Sequence, residues 1–311
     1  MYITSFDRMV NISTTISDLK LKNPTMLAAG ILGETGDSLF KVAKGGAGAL
    51  VTKSIGLEPR EGHPNPTFME TEHGILNAMG LPNPGIESYE EEVKMALKTG
   101  IPVIGSIFGG DAKEFKMLAK KMENYGVNAI ELNLSCPHAK GYGAELGHDK
   151  KKVEEVTKAV KNAVNIPVFV KLSPDVSSIA EIAKAVENAG GDGIVAINTL
   201  KAIAINAELA MPILSNVVGG YSGPAIKPIG LRCVYEIKGA TNLPIIGVGG
   251  ILSGMDAVEY IMAGANAVQI GSGVYYRGEG IFKEICQQIG EFMEQNGYKN
   301  IQEMVGIAGK R

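Results

Sequence analysis

The stretch Gly264-Ala265-Asn266-Ala267-Val268-Gln269-Ile270-Gly271 decides the fold. A glycine that closes a helix is followed by a small residue and then by a short apolar run that ends on glycine. Glycine stops helices because it accepts positive φ at little cost. The same hand-over occurs at Gly45-Gly46-Ala47-Gly48-Ala49, at Gly126-Val127-Asn128-Ala129 and at Gly190-Gly191-Asp192-Gly193, each time before an apolar run. A second hand-over alternates with it: an apolar residue and a proline stand before Val103 to Ile107, Val168 to Leu172 and Ile245 to Gly250. Proline can begin a strand but does not sit centrally in one.

With Pro24 to Ala29 as the first, this pattern predicts eight short strands, near residues 24, 49, 102, 129, 167, 193, 244 and 267. Most are continuous apolar runs, as expected for parallel strands covered on both faces. Helices are expected near residues 37–44, 87–98, 111–125, 150–164, 228–239, 254–263 and 280–296, with a further one opening at Ser178. Asp111 with Glu114, and Ser178 with Glu181, have the spacing of a capping box. Eight strand–helix units predict an α/β chain folded as a TIM barrel, a single domain over residues 1–311, with residues 1–23 as an N-terminal extension that reads as a hairpin. A doubly wound sheet is the alternative, but Gly247-Val248-Gly249-Gly250 lacks the dinucleotide spacing and follows the seventh strand. The connections Ser54–Gly100 and Leu200–Lys227, after strands two and six, exceed the usual few residues. Both leave the C-terminal ends of strands, so they are expected to wall and cover a pocket.

Composition narrows the chemistry. The chain has 311 residues with 30 basic and 33 acidic side chains, a net charge of −3 that offers no footprint for nucleic acid. At 45% hydrophobic it can bury a large core. Cys136, Cys233 and Cys286 are far apart and never form CxxC, which excludes a disulfide framework and a four-cysteine metal or iron–sulfur site. His63, His73, His138 and His148 have no metal-ligand spacing, so no metal is expected. Neither a secretory signal nor an apolar run of about 18 residues is present, and a reducing cytoplasm is the expected setting.

Polar, glycine and reactive residues gather at the predicted strand ends: Ala29-Gly30, Lys53-Ser54, Ser106, Asn133 to Pro137, Lys171, Asn198-Thr199, Gly249-Gly250 and Gly271-Ser272. Each glycine alone reads as a turn residue. Together, glycines after strands seven and eight, with Ser253 opening a helix, suit a phosphate group. Lys171 ends an apolar run, where burial disfavours its charge unless an anion compensates; it can form a Schiff base or hold a positive charge beside a cofactor that becomes anionic. Lys53 can bind a substrate carboxylate. Cys136, in a turn between Ser135 and Pro137, can be a nucleophile, a general base or an inert thiol. Cys233 and Cys286 fall in amphipathic helical patterns and are expected in the core.

Taken together, Asn133-Leu134-Ser135-Cys136-Pro137, Asn77 to Gly85 (NAMGLPNPG), Lys171-Leu172-Ser173-Pro174, Ile197-Asn198-Thr199 and Gly219 to Pro228 (GGYSGPAIKP) resemble the class 1 dihydroorotate dehydrogenases, from about Leu19 onward. KLSP, INTL and GGxSGPAIKP are more similar to the B type, the catalytic subunit of the NAD-linked enzyme, than to the fumarate-linked A type. The resemblance implies an FMN-bearing barrel that oxidises dihydroorotate to orotate in pyrimidine biosynthesis, with Cys136 as the base. It implies FMN contacts at Ala29, Gly30, Lys53, Ser54, Ser106, Asn133, Lys171, Ile197, Gly223, Gly249, Gly250, Gly271 and Ser272. Substrate contacts are implied at Lys53, Asn77, Ala78, Met79, Gly80, Leu81, Asn133, Asn198 and Thr199, and Lys171 would balance charge on the reduced ring. A homodimer is implied, together with an electron-transfer subunit carrying FAD and a [2Fe-2S] cluster. Two positions depart from the family: His138 stands where CPN would place asparagine, and Ser106 stands where relatives often carry asparagine. A flavin-free phosphate-binding aldolase or isomerase using Lys171 is the alternative of a different class.

Overall fold

The computed structural model describes residues 10–134 and 144–309. Ser135, Cys136, Pro137 and His138, the centre of the most reactive predicted motif, lie outside the described residues. All eight predicted strands form: β1 (Thr25–Leu27), β2 (Leu50–Val51), β3 (Val103–Ile107), β4 (Ala129–Asn133), β5 (Val168–Leu172), β6 (Gly193–Ala196), β7 (Ile245–Val248) and β8 (Ala267–Ile270). They lie parallel in the order β1-β8-β7-β6-β5-β4-β3-β2. A parallel bridge between Met26 and Ala49 closes β1 onto β2. The result is the predicted TIM barrel, preceded by the expected hairpin of Thr14–Ile16 with Leu19–Leu21.

Helices follow the strands: α1 (Gly36–Lys44), α2 (Glu90–Leu97), α3 (Ala112–Asn124), α4 (Lys150–Lys161), α5 (Ile179–Asn188), α6 (Lys227–Ala240), α7 (Gly254–Ala263) and α8 (Ile281–Asn296). α3 buries Phe115, Leu118, Ala119 and Met122 on one face. Its cap differs from the reciprocal box. Asp111 Oδ1 accepts from the Glu114 amide at 2.9 Å, but Glu114 Oε2 accepts from the Gly110 N–H instead of returning to Asp111.

The two hand-over signatures turn out to be halves of one device. Val103, Val168 and Ile245, the residues after the prolines, point their N–H groups at Asn128 Oδ1 (2.8 Å), Asp192 Oδ2 (2.7 Å) and Asn266 Oδ1 (3.1 Å) on the next strand's entrance. Each of those residues returns its own N–H to the same partner's carbonyl, at 2.8, 2.9 and 2.7 Å. The pairs β3/β4, β5/β6 and β7/β8 are thus clamped at their N-terminal rim. At β1/β2 the geometry is adapted. Gly48 N–H reaches Thr25 O at 2.8 Å, but a Cβ there would sit 2.4 Å from Asn23 O. Asn23 instead accepts from the Thr25 amide at 3.0 Å and donates to Gly46 O.

The two long connections meet. Phe68–Thr71 and Gly74–Asn77 from the first, with Leu200–Ile203 and Val218–Ser222 from the second, form a four-stranded antiparallel sheet. Its centre pairs Gly220 with Asn77 and Tyr221 with Leu76. No helix among the described residues is long and apolar enough to cross a membrane.

Asn128→Ala leaves the N–H of fully buried Val103 without its acceptor, which costs about 1–3 kcal/mol. The expected outcome is a lower urea midpoint with an unchanged slope; an unchanged midpoint contradicts the clamp.

Candidate functional site

A cavity of about 400 Å³ opens at the C-terminal ends of the strands, bounded on one side by residues of the insertion sheet. From the barrel come Ala29 and Gly30 after β1, Lys53 and Ser54 after β2, Asn133 at the end of β4 and Lys171 on β5. Ile197, Asn198 and Thr199 follow β6, Gly249 and Gly250 follow β7, and Gly271 and Ser272 follow β8. The insertions add Asn77, Met79, Gly80 and Leu81. Three implied contacts stand elsewhere. Ala78 is buried, its amide bonded to Thr67 O at 2.8 Å. Gly223 does not line the cavity, but its carbonyl packs close against Gly250. Ser106 lies within β3, fully buried behind Ser54.

Ser106 belongs to a continuous polar chain beneath the cavity wall. Its N–H donates to Thr52 Oγ1 at 2.9 Å, and its hydroxyl meets Ser54 Oγ at 2.8 Å. Ser54 Oγ accepts from Asn133 Nδ2 at 3.1 Å, while Asn133 Oδ1 accepts from Asn198 Nδ2 at 3.3 Å. Asn198 Oδ1 takes the Thr199 N–H at 2.9 Å. These bonds assign which end of each amide is donor and which is acceptor, so the wall presents a defined pattern to a ring that carries both kinds of group.

Two buried residues on the barrel axis were not singled out by the strand-end reading: Glu131 on β4 and Gln269 on β8. Their signal was present, since each is a polar side chain inside an otherwise apolar run. Gln269 Nε2 donates to Glu131 Oε2 at 2.7 Å, and Lys171 Nζ lies 3.8 Å from Glu131 Oε1. The aromatic pair Phe68 and Tyr275 also lines the cavity, centroids 5.4 Å apart.

The β7 and β8 ends provide the anion cradle. Gly249 (φ +128°) and Gly250 (φ +69°) occupy backbone conformations that favour glycine, and a Cβ on Gly250 would sit 2.8 Å from Gly223 O. Tyr260 Oη donates to Gly249 O at 2.7 Å and holds that turn from behind; burial pushes its hydroxyl pKa up. The helix Ser272–Arg277 starts at Gly271 without a side-chain cap, leaving first-turn N–H groups for an external acceptor. Ser253 and Asp256 form a complete capping box on α7. Asp256 also accepts from the Leu252 N–H at 3.0 Å and from Lys227 Nζ at 2.6 Å. Partial burial opposes its charge, but these donors prevail and hold its carboxyl below the usual range.

The described thiols are unsuited to reaction. Cys233 is fully buried, and desolvation pushes it up to about 11. Cys286 is half-buried against Thr25 Oγ1 at 3.6 Å, and burial raises it too. Both disfavour the thiolate, the reactive form. Among the described residues no three His, Cys, Asp or Glu side chains gather to hold a metal ion.

The profile of the family described as Dihydroorotate dehydrogenase matches residues 11–293. The chain is 54% identical over 301 residues to the Dihydroorotate dehydrogenase B (NAD(+)), catalytic subunit, of Methanocaldococcus jannaschii, covering 96% of this chain and 98% of that protein. It is 53% identical over 303 residues to the protein of the same name from Thermoplasma volcanium (97% and 100% covered), and 50% identical over 301 residues to that of Pyrococcus furiosus (97% and 100%).

Because the Asp256 carboxyl is depressed in the folded chain, its stabilisation is present above the unfolded value of about 4 and is lost as pH falls through the lower folded value. Asp256→Asn should cost about 1–3 kcal/mol at neutral pH, with the gap to the native protein closing in acid. A gap that stays constant from neutral pH to about pH 2 contradicts this.

Proposed function

The chain belongs to the dihydroorotate dehydrogenase family, and on that premise we propose that it is an FMN enzyme oxidising dihydroorotate to orotate, the catalytic subunit of an NAD⁺-linked assembly. The observation that carries the reading is the convergence of Lys171, Lys53 and the amides of Asn77, Asn133 and Asn198 on one cavity that also contains a glycine cradle. A flat ring, a phosphate and a small carboxylated ring match those features in turn.

The residues present fit FMN. Its phosphate suits the Gly249-Gly250 and Gly271-Ser272 backbone, and its ring suits the wall made by Ala29, Gly30, Ser54, Asn133 and Ile197. Lys171 lines the cavity with Glu131 behind it at 3.8 Å, beyond hydrogen-bond distance, so among the described residues that carboxylate does not take its protons from a bound acceptor. When bound, the flavin supplies a two-electron acceptor for the hydride on the substrate's C6. Lys53 holds the substrate carboxylate, and the oriented amides of Asn77, Asn133 and Asn198 pair with the ring's N–H and C=O groups. The Cys136 thiolate takes the C5 proton: an S–H bond forms, the C5–H bond breaks, and its electron pair becomes the C5–C6 double bond as the C6 hydride departs. A thiol with an ordinary pKa of about 8.5 serves this role when neighbouring charge lowers it.

NAD⁺, in preference to fumarate, is supported by the names of the similar proteins above. Reaching it requires a partner subunit with FAD and a [2Fe-2S] cluster, for which this chain, with its three scattered cysteines, has no ligand set. A homodimeric core in the cytoplasm completes the proposal.

Cys136→Ala should retain FMN while its anaerobic reduction by dihydroorotate slows by about 10²–10⁴-fold in stopped-flow absorbance. Near-native reduction by that variant would remove Cys136 as the base.

A further inference from the structure

The Glu131–Gln269 pair does nothing in the mechanism above, yet it places a fully buried carboxylate on the barrel axis directly behind Lys171. β4 and β5 pair Asn133 with Lys171 and Glu131 with Phe169. Glu131, Gln269 and Lys171 are 0%, 1% and 5% exposed. A carboxylate in such a place is costly unless paired and hydrogen-bonded. Its Oε2 is satisfied by Gln269, whereas Oε1 has no hydrogen-bond partner among the described residues and faces Lys171 Nζ at 3.8 Å. Gln269 cannot turn over to serve Oε1 without surrendering its bond to Oε2. The lysine therefore stands between a fixed negative charge behind it and the cavity in front.

We propose that Glu131 is a positioning residue that holds back Lys171 and thereby lowers the electron affinity of the flavin bound at this site, with Gln269 fixing the carboxylate in place. The inference rests on the FMN reading. As the ring gains electrons it draws Lys171 Nζ forward, and Glu131 opposes that movement with charge of the other sign in a region of low dielectric. Neutralising Glu131 without changing its shape leaves the lysine's charge directed wholly at the cavity. The reduced flavin then gains relative to the oxidised one. The pair thus sets how readily electrons leave the flavin for the next carrier, separately from how well the flavin is held.

The test is the midpoint potential of bound FMN in the native chain, Glu131→Gln and Glu131→Asp. Glu131→Gln should favour the two-electron reduced form about tenfold, a rise of about 30 mV, and Glu131→Asp, which keeps the charge, should return most of the way. In a Lys171→Met background the rise should be at most half as large. Loss of packing alone does not move a potential in this pattern. FMN bound at one per chain with an unchanged potential, or an equal rise without Lys171, overturns the inference and leaves the FMN reading intact; a native chain that binds no FMN overturns both. Should Glu131→Gln fail to fold, the redox-difference infrared spectrum of the native holoprotein decides. A carboxylate band that shifts on flavin reduction supports the proposal, and a difference spectrum with no carboxylate band overturns it.

Discussion

Asn128, Asp192 and Asn266 each tie two neighbouring strands together at the N-terminal rim of the barrel, accepting the N–H that follows a proline and returning their own N–H to the same residue. Proline has no N–H and can only stand at a strand's start, so the amide just after it is the first that needs an acceptor. The next strand supplies one from a side chain placed two residues after a helix-ending glycine. Odd strands enter after proline and even strands after glycine, so the clamps join the strands in pairs. Asn23 and Gly48 make the corresponding seam between β1 and β2, where the sheet closes.

With register set at that rim, the other rim is free to be chemical. Every strand arrives there pointing the same way, which brings Lys53, Asn133, Lys171, Asn198 and the Gly249-Gly250 turn to one opening although they are spread over about two hundred positions. The cost of polar groups at such depth is met in layers. Thr52 holds Ser106 and Ser106 holds Ser54, Ser54 holds Asn133, and Gln269 holds one oxygen of Glu131. The reactive surface is therefore one face of a hydrogen-bonded network, and residues that never touch a ligand determine what it presents.

The strands and helices of the barrel were legible because glycine and proline hand-overs are local signals. The strand-end rule then located most of the cavity wall. It misplaced Ser106 because β3 runs on to Ile107, which turns that hydroxyl inward against Ser54 instead of into the opening. The insertion sheet was not legible as a sheet. Its central pairing joins Asn77 to Gly220, and Phe68–Thr71, half of it exposed, has little apolar signal of its own. Glu131 and Gln269 were visible as polar interruptions, but only the closed barrel shows that residues 138 positions apart share a hydrogen bond.

Everything above converges on a cavity that holds a flavin reduced by dihydroorotate. An anaerobic absorbance titration of the purified chain with dihydroorotate tests it most directly. A yellow protein is expected, whose flavin band bleaches as substrate is added, to completion at one equivalent of two-electron reduction per chain. A yellow protein that keeps its colour would contradict the substrate, and a colourless one that takes up no added FMN would contradict the cofactor and with it the reading of the cavity.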